Sequence, residues 1–417
     1  MDAVKRARHD DPPALLSILT LTLCAFAVTT AEFVIAGLLP EVAADLSISI
    51  PSAGHLVTAY ALGMVAGGPV LTLLTVRLPR KALIVSLLGV FVAGNVAAAA
   101  APNYSALLAA RAISGLVVAT FFAQAVVIAA SLAQPGRQAS AVAKVALGFN
   151  LAMIVGAPIG TAIGQRFGWR ATFLAIGIFA AIALASLVRW VPVRGVTASG
   201  SVLGELRVLR NRGFQLALAL TAIGNAGVLM VFVYLAPLLI EISGFATGTV
   251  PALLLAYGIG AALGNLAGGW LSDRALMGSL VGLLAALSTV LVLFWLLDTL
   301  QTPAAILVFM TGALAFSIIP GMQTRVLLTA KEAPTLGIAL NASGFQIAAA
   351  FSAWLGGQII ESELGLEFVP LAGASVTAIG GLLAFVSWMR ERRPAMRLGA
   401  EIPHRSVAAV GRSAEPE

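Results

Sequence analysis

The sequence predicts an all-α membrane protein: twelve transmembrane helices in two pseudo-symmetric six-helix bundles, with both termini cytoplasmic. Three observations predict it. Hydrophobic residues make up 59% of the chain and charged residues only 10%. The apolar runs are continuous and about twice the length of a barrel strand, which alternates polar and apolar residues. A polar stretch divides the runs six and six. A soluble globular chain carries about 25% charged residues, too many more than these for water to be the main solvent. At about 20 apolar residues per span, 417 residues are consumed by roughly a dozen helices. No room is left for a soluble catalytic domain.

In order along the chain, residues 1–13 form a cytoplasmic N-tail and 14–188 the first bundle, with spans at 14–39, 56–76, 82–101, 106–132, 145–165 and 171–188. The first run is too long for a signal-peptide core and lacks a convincing cleavage site, so it reads as a retained span. Residues 189–212 are a cytoplasmic linker. The second bundle, 213–389, has spans at 213–240, 251–272, 276–297, 304–324, 336–360 and 369–389, and 390–417 are a cytoplasmic C-tail.

Orientation follows from the basic residues, since Lys and Arg in short loops stay inside. All 25 fall in the tails or in loops on one face except Arg166 and Arg170 opposite and Arg111 within a span. The other face carries mostly acids, among them Glu41, Asp45, Asp298 and Glu367. The net charge of +7 is thus a topology signal, and nucleic-acid binding loses its main support.

Cys24, the single cysteine, allows no intramolecular disulfide and no cysteine cluster. The three histidines lie outside the spans and no intramembrane acids are paired. Metal and acid-base catalysis therefore lack their residues, and no enzyme, metal site or cofactor is expected.

Glu32 is the only acid in a span and Arg111 the only cation. A carboxylate at the bilayer centre costs about 2.5–3.5 kcal/mol, so it is kept where it faces a cavity or partner, or where it is protonated. Glu32 stands about 10 Å, and Arg111 about 8 Å, below the outer ends of their helices at 1.5 Å per residue. Opposite lone charges at one depth are natural partners, and a proton arriving on Glu32 would weaken the pair. Two alternatives stay open: Glu32 as a structural acid, and Arg111 snorkelling to the outer surface.

Span five carries Gly148, Gly156, Gly160 and Gly164 on one face, where another backbone can approach closely. Pro158 within that strip removes a backbone hydrogen bond and kinks the helix. Plain tight packing would explain the glycines; the proline adds a rocking function.

On these residues the chain resembles the major facilitator superfamily, in its twelve-helix drug/proton antiporter branch, over 14–389. Gly156-Ala-Pro-Ile-Gly160 is similar to the exporters' fifth-helix signature, and Leu107 to Gly115 resembles the fourth-helix signature, whose arginine is implied in proton coupling. Gly269-Trp-Leu-Ser-Asp273-Arg274 matches the loop motif between spans eight and nine, where the glycine would permit a close crossing and the charges would latch a neighbouring helix end. The first-half copy is eroded: Thr72 and Val76 replace its glycine and aspartate, while Arg77, Arg80 and Lys81 keep its basic tail. Thr30 to Pro40, Tyr234 to Pro237 and Ala333 to Gly337 resemble chloramphenicol exporters and arabinose-type sugar efflux proteins.

The resemblance implies a cavity between the halves, with Tyr60, Phe121, Phe122, Gln124, Asn150, Asn225, Tyr257, Asn341, Phe345 and Gln346 as candidate lining; each alone could equally serve helix packing. Aromatics and amides with almost no fixed charge suit a small, largely uncharged, moderately apolar ligand. The expected function is proton-coupled export by alternating access in the bacterial inner membrane. A drug such as chloramphenicol is the first substrate and a sugar or other metabolite the alternative. The expected protein is a monomer driven by the proton gradient. A membrane sensor with a transporter fold is the reading from another class.

Overall fold

The computed structural model describes residues 14–75, 78–134, 138–192, 208, 210–331 and 334–400. Both tails for most of their length, most of the linker and Arg77 lie outside the described residues.

Thirteen helices organise the described chain. The first bundle contains α1 (Ala14–Phe33), α2 (Leu39–Leu46), α3 (Ile50–Leu74), α4 (Arg80–Ala99), α5 (Tyr104–Leu132), α6 (Gln138–Leu151), α7 (Ala157–Phe167) and α8 (Trp169–Trp190). The second contains α9 (Arg212–Val233), α10 (Val250–Leu297), α11 (Gln301–Thr329), α12 (Pro334–Glu361) and α13 (Val369–Ala400). Ten helical segments are long and apolar enough to cross a membrane, and eleven if the pair formed by α2 and α3, bent by 116°, counts as one.

Local chemistry sets the departures from the expected boundaries. α1 tightens to a 3-10 turn over Val34–Gly37. The chain then restarts as α2 with Pro40 in its first turn, so part of the expected outer loop is a short helix. α2 stops at Ser47, whose φ of 53° is left-handed. The Ser49 hydroxyl caps α3 by accepting the Ser52 amide at 3.2 Å. Expected spans eight and nine form one helical run in α10, broken where Ala275 leaves helical geometry at φ −155°, ψ 78°. In span five, α6 and α7 are joined by a π-helical turn over Ala152–Gly156. Pro158 follows that turn; it has no N–H to give and its ring crowds the preceding turn, so the hydrogen-bond ladder is re-spaced there.

Between helices in lipid, close packing supplies the association that apolar burial supplies in water. α3 and α5 cross with Gly63 against the Ala112 carbonyl, Gly67 against Leu116 and Gly115 against Tyr60. α10 and α11 repeat the arrangement: Gly260 meets Phe309, Gly264 meets Ala313 and Gly312 meets Tyr257. Tyr257 follows Tyr60 by the same interval at which Gly260 follows Gly63, Gly264 follows Gly67 and Gly312 follows Gly115. This internal repeat was legible in the sequence, as a fixed spacing of tyrosine and glycines.

The bundles meet where α3 packs on α12 and where α10 packs on α7 and the π turn. The joining contacts lie between the middle of the molecule and the end opposite the termini. Gly54 receives the Tyr234 hydroxyl, Gly357 lies against Pro51, Phe33 stacks edge-on with Phe232 at 5.8 Å, and Gly258 abuts Met153 and Ile154.

Candidate functional site

Glu32 lies one residue before the end of α1, beside the 3-10 turn that carries the chain toward α2. Its carboxylate accepts a hydrogen bond of 2.8 Å from Gln346 Nε2 on α12, across the junction of the bundles. Glu32 and Gln346 line a cavity of about 30 Å³ together with Phe33, Tyr60, Arg111, Phe232 and Phe345. That is room for a water molecule or two. Drug-sized ligands occupy pockets of roughly 300–1,000 Å³, so the cavity in this structure is too small to hold one.

Arg111 reaches the same cavity from α5. Only 1% of it is exposed, which excludes the snorkelling alternative. Its Nη1 donates to the Ala31 carbonyl at 2.8 Å, and its guanidinium lies over the Tyr60 ring at 4.1 Å from the centroid. Its Nε and Nη2 are buried without a hydrogen-bond partner.

The expected direct pairing of Glu32 with Arg111 is therefore not made in this state. The depth argument placed them correctly, since Arg111 bonds the residue next to Glu32. Lateral partners decided otherwise: Tyr60 and Ala31 hold the guanidinium, and Gln346 takes the carboxylate. The ion pair found among the described residues joins Arg170 to Asp45 outside the spans, with Trp169 Nε1 also donating to Asp45 at 3.0 Å. Those bonds hold the Asp45 carboxyl below its ordinary value.

Arg325 corrects a second expectation. Read as a loop cation, it lies inside α11, 6% exposed, with Nη2 donating to Ser387 Oγ at 2.7 Å. Arg111 is thus not the only cation buried among the helices. The sequence signal was the apolar run continuing past Arg325 to Thr329, which the charge obscured.

Of the other residues expected to line a cavity, Tyr60, Phe345 and Gln346 do so beside Glu32. Tyr257 is buried and packs on Phe232 at 5.0 Å between ring centroids. Phe122 stacks on Phe121. Asn225 Nδ2 donates to the Thr221 carbonyl at 2.7 Å, Asn341 Oδ1 accepts from the Thr221 hydroxyl at 2.6 Å, and Asn150 donates to Ala146 within its own helix. Gln124 Oε1 is buried without a partner. Sequence reasoning missed Phe232 and Leu229 as lining residues, because an apolar residue in an apolar span carries no signal of its own.

The glycine strip is placed by α1. Gly156, Gly160 and Gly164 face Thr30 on α1, Val34 in the 3-10 turn that follows it and Leu38 just beyond, four residues apart each time and on either side of Glu32. The loop motif behaves differently. A Cβ at Gly269 would meet nothing within 4 Å, so the expected close crossing there is absent; Gly268, against the Ser317 carbonyl, makes it instead. Asp273 and Arg274 are exposed, with Arg274 stacked 3.3 Å over the Trp270 ring centroid. Arg80 opens α4, where neighbouring Lys81 donates to the Val188 carbonyl at 2.8 Å. By the interval that relates Tyr60 to Tyr257, Arg111 has Val308 as its counterpart and Glu32 has Leu229. At these two positions the repeat is charged in the first bundle only.

Comparison with known proteins bears on this arrangement. Residues 21–335 match the sequence model described as Major Facilitator Superfamily. The chain is 37% identical over 370 residues to an inner membrane transport protein, YdhP, of Escherichia coli (strain K12), covering 89% of this chain and 95% of that one. It is 30% identical over 382 residues to a chloramphenicol resistance protein of Streptomyces lividans, covering 89% and 96%. Its fold matches, with a TM-score of 0.71 at 15% identity over 90% of this chain and 97% of the other, the crystal structure of a bacterial homologue of the human lysosomal transporter Spinster, in an inward-facing and unoccupied conformation.

Proposed function

Since the chain belongs to the major facilitator superfamily, we propose that it is a proton-coupled antiporter that exports a small, largely uncharged, moderately apolar compound by alternating access. In this reading it has twelve spans, α3 and the two parts of α10 either side of Ala275 each counting as one, and both termini lie in the cytoplasm of a bacterial cell. Its substrate is a drug of the chloramphenicol type, it acts as a monomer, and the proton gradient is its source of energy.

The observation that carries the proposal is Glu32, a membrane carboxylate at the meeting of the two bundles, in one cavity with the buried guanidinium of Arg111. A transporter that alternates needs a protonatable group whose surroundings change as the bundles rock, and the seam is where they change most. The contacts joining the bundles lie toward the end opposite the termini. With cytoplasmic termini, this state is sealed outside.

In the cycle, the substrate enters from the cytoplasm while Glu32 is unprotonated. The bundles turn, the substrate leaves outward, and a proton reaches Glu32 from the outer side. The return carries the proton inward, where it is released. Aromatic walls from Phe33, Tyr60, Phe232 and Phe345 would meet the apolar part of the ligand, and Arg111 would meet an acceptor group. Phe122, Asn150, Asn225, Tyr257 and Asn341 would join the lining as the cavity widens. Gly156, Pro158, Gly160 and Gly164 let α7 and the π turn move against α1, while Asp273 and Arg274, with Arg77 and Arg80 in the other bundle, govern the inner ends.

The test is Glu32→Gln in proteoliposomes carrying an imposed pH gradient. Gradient-driven transport of chloramphenicol, or of the best compound from a resistance profile across uncharged antibiotics and toxic sugars, is expected to stop while binding persists. Undiminished pumping removes Glu32 from the mechanism.

A further inference from the structure

On the termini's side of the Glu32 cavity, the two bundles touch through a pair of rings. Phe149 on α6 lies 6.3 Å from Phe316 on α11 between centroids, tilted by 46°. Phe33, beside Glu32, stands edge-on to Phe149 at 5.7 Å. The level of the pair follows from the register of α1 against span five, in which Gly148 lies against Thr22, Ala25 and Phe26, and Gly156 against Thr30. Phe149 is therefore level with Phe26, about 9 Å nearer the termini than Glu32 at 1.5 Å per residue.

The exposure of α1 changes at the same level. Leu19 and Leu23 are 47% and 46% exposed, whereas Ala27 and Ala31, the next residues on that face, are 1% and 0% exposed. α5, α6 and α8 cover the other faces of α1, and α9 of the opposite bundle meets the 3-10 turn that follows it. The open face of α1 thus ends where the ring pair stands.

The two sides of the seam are closed differently. Between α3, α9 and α12, Ala61, Ala226, Ala348 and Ala349 pack directly, and side chains this small let the backbones come close. On the other side α6 packs chiefly on α1 and α5, and α11 on α10 and α9. There the bundles are bridged by large side chains, Phe149 and Phe316.

We infer that Phe149 and Phe316, one ring from each bundle, form an inner gate: a hydrophobic barrier that keeps cytoplasmic water off Glu32 while the face of α1 beneath it stands open. The inference goes beyond the export reading and rests on it only in taking the termini as cytoplasmic.

Two apolar rings in contact offer water no polar group, and a hydrophobic constriction of this kind gates by dewetting. A barrier two side chains thick opens by rotation of a ring or a small separation of α6 from α11, before the bundles move as bodies. In the cycle proposed above, the entry of substrate and the release of the proton both pass this pair.

The test puts a reporter beyond the gate. Ala349→Cys lies in the lining of the Glu32 cavity, in the full-length chain with Cys24→Ala to remove the native thiol. Its reaction with a membrane-impermeant cationic methanethiosulfonate is followed in inverted and in right-side-out membrane vesicles. In the reporter parent, labelling is expected to be slow in both. Phe149→Ala and Phe316→Ala, each alone, are expected to raise the rate in inverted vesicles about tenfold, the effect of roughly 1.4 kcal/mol on the closed gate. The rate in right-side-out vesicles should stay at the parental value. Phe26→Ala is the control: its ring packs on Phe179 within the first bundle at the same level, and its loss is expected to change neither rate. Parental labelling in both folded alanine variants, judged by a monodisperse elution profile, overturns the inference. So does fast labelling of the reporter parent in inverted vesicles, an equal rise from both faces, or a rise as large in Phe26→Ala. A rise confined to right-side-out vesicles upholds the ring barrier and instead removes the reading of the termini as cytoplasmic.

Discussion

The guanidinium of Arg111 lies over the ring of Tyr60, 4.1 Å from its centroid, and not against the carboxylate of Glu32. The stack uses the planar face of the cation, and its Nε and Nη2 are buried without a hydrogen-bond partner. A buried cation held in this way can remain in place through the proton uptake and release proposed for the carboxylate beside it.

Arg111→Lys tests that arrangement. An ammonium cannot both stack flat on Tyr60 and donate to the Ala31 carbonyl, so gradient-driven transport is expected to fall about tenfold or more, with folding kept. Initial transport rates, together with a monodisperse elution profile, check it. A lysine variant with parental rates would show that charge alone suffices.

Gly160 and Gly269 are expected to separate cleanly. A Cβ at Gly160 would lie 2.5 Å from Val34 Cγ2, whereas one at Gly269 meets nothing within 4 Å. Gly160→Ala should cost about 1–3 kcal/mol through overpacking. Gly269→Ala should be neutral, or stabilising by about 0.5–1 kcal/mol through helix propensity. Thermal midpoints in detergent give both values.

Tyr234 plugs the sealed end: its hydroxyl donates to the Ala353 carbonyl at 2.5 Å and rests on Gly54 of the other bundle. Gly54→Leu should force that end apart and raise labelling of a Pro51→Cys reporter by a water-soluble maleimide several-fold. The background is clean because Cys24, the only cysteine, is fully buried. Unchanged labelling would mean that the end opens elsewhere.

Asp45 carries a pH signature. Its folded-state carboxyl titrates below the unfolded value because Arg170 and Trp169 donate to it. The stabilisation from these bonds is present above the unfolded value, about 3.9, and is lost as the pH falls through the lower folded value. Asp45→Asn should therefore lower the thermal midpoint at pH 7, and the gap from the parent should close below about pH 4. A gap that persists in acid would assign the loss to packing.

The run of apolar residues determined by itself that this chain lives in lipid as helices, because a hydrocarbon solvent forces every backbone group into an internal hydrogen bond. Glu32 and Arg111 were legible for the same reason: a charge in such a run is costly and stands out. Their depth could be counted at a fixed rise per residue. Sequence distance carries no information about lateral neighbours, and there the tertiary structure decided. It gave Glu32 to Gln346, more than three hundred positions away, turned Arg111 onto Tyr60, buried Arg325 against Ser387, and set Gly268 in the close crossing expected of Gly269. Which face of a helix meets which neighbour depends on the rotation of each helix about its own axis, and in an evenly apolar helix that rotation is fixed by packing shape and a few hydrogen bonds, terms that exist only once the bundle is assembled.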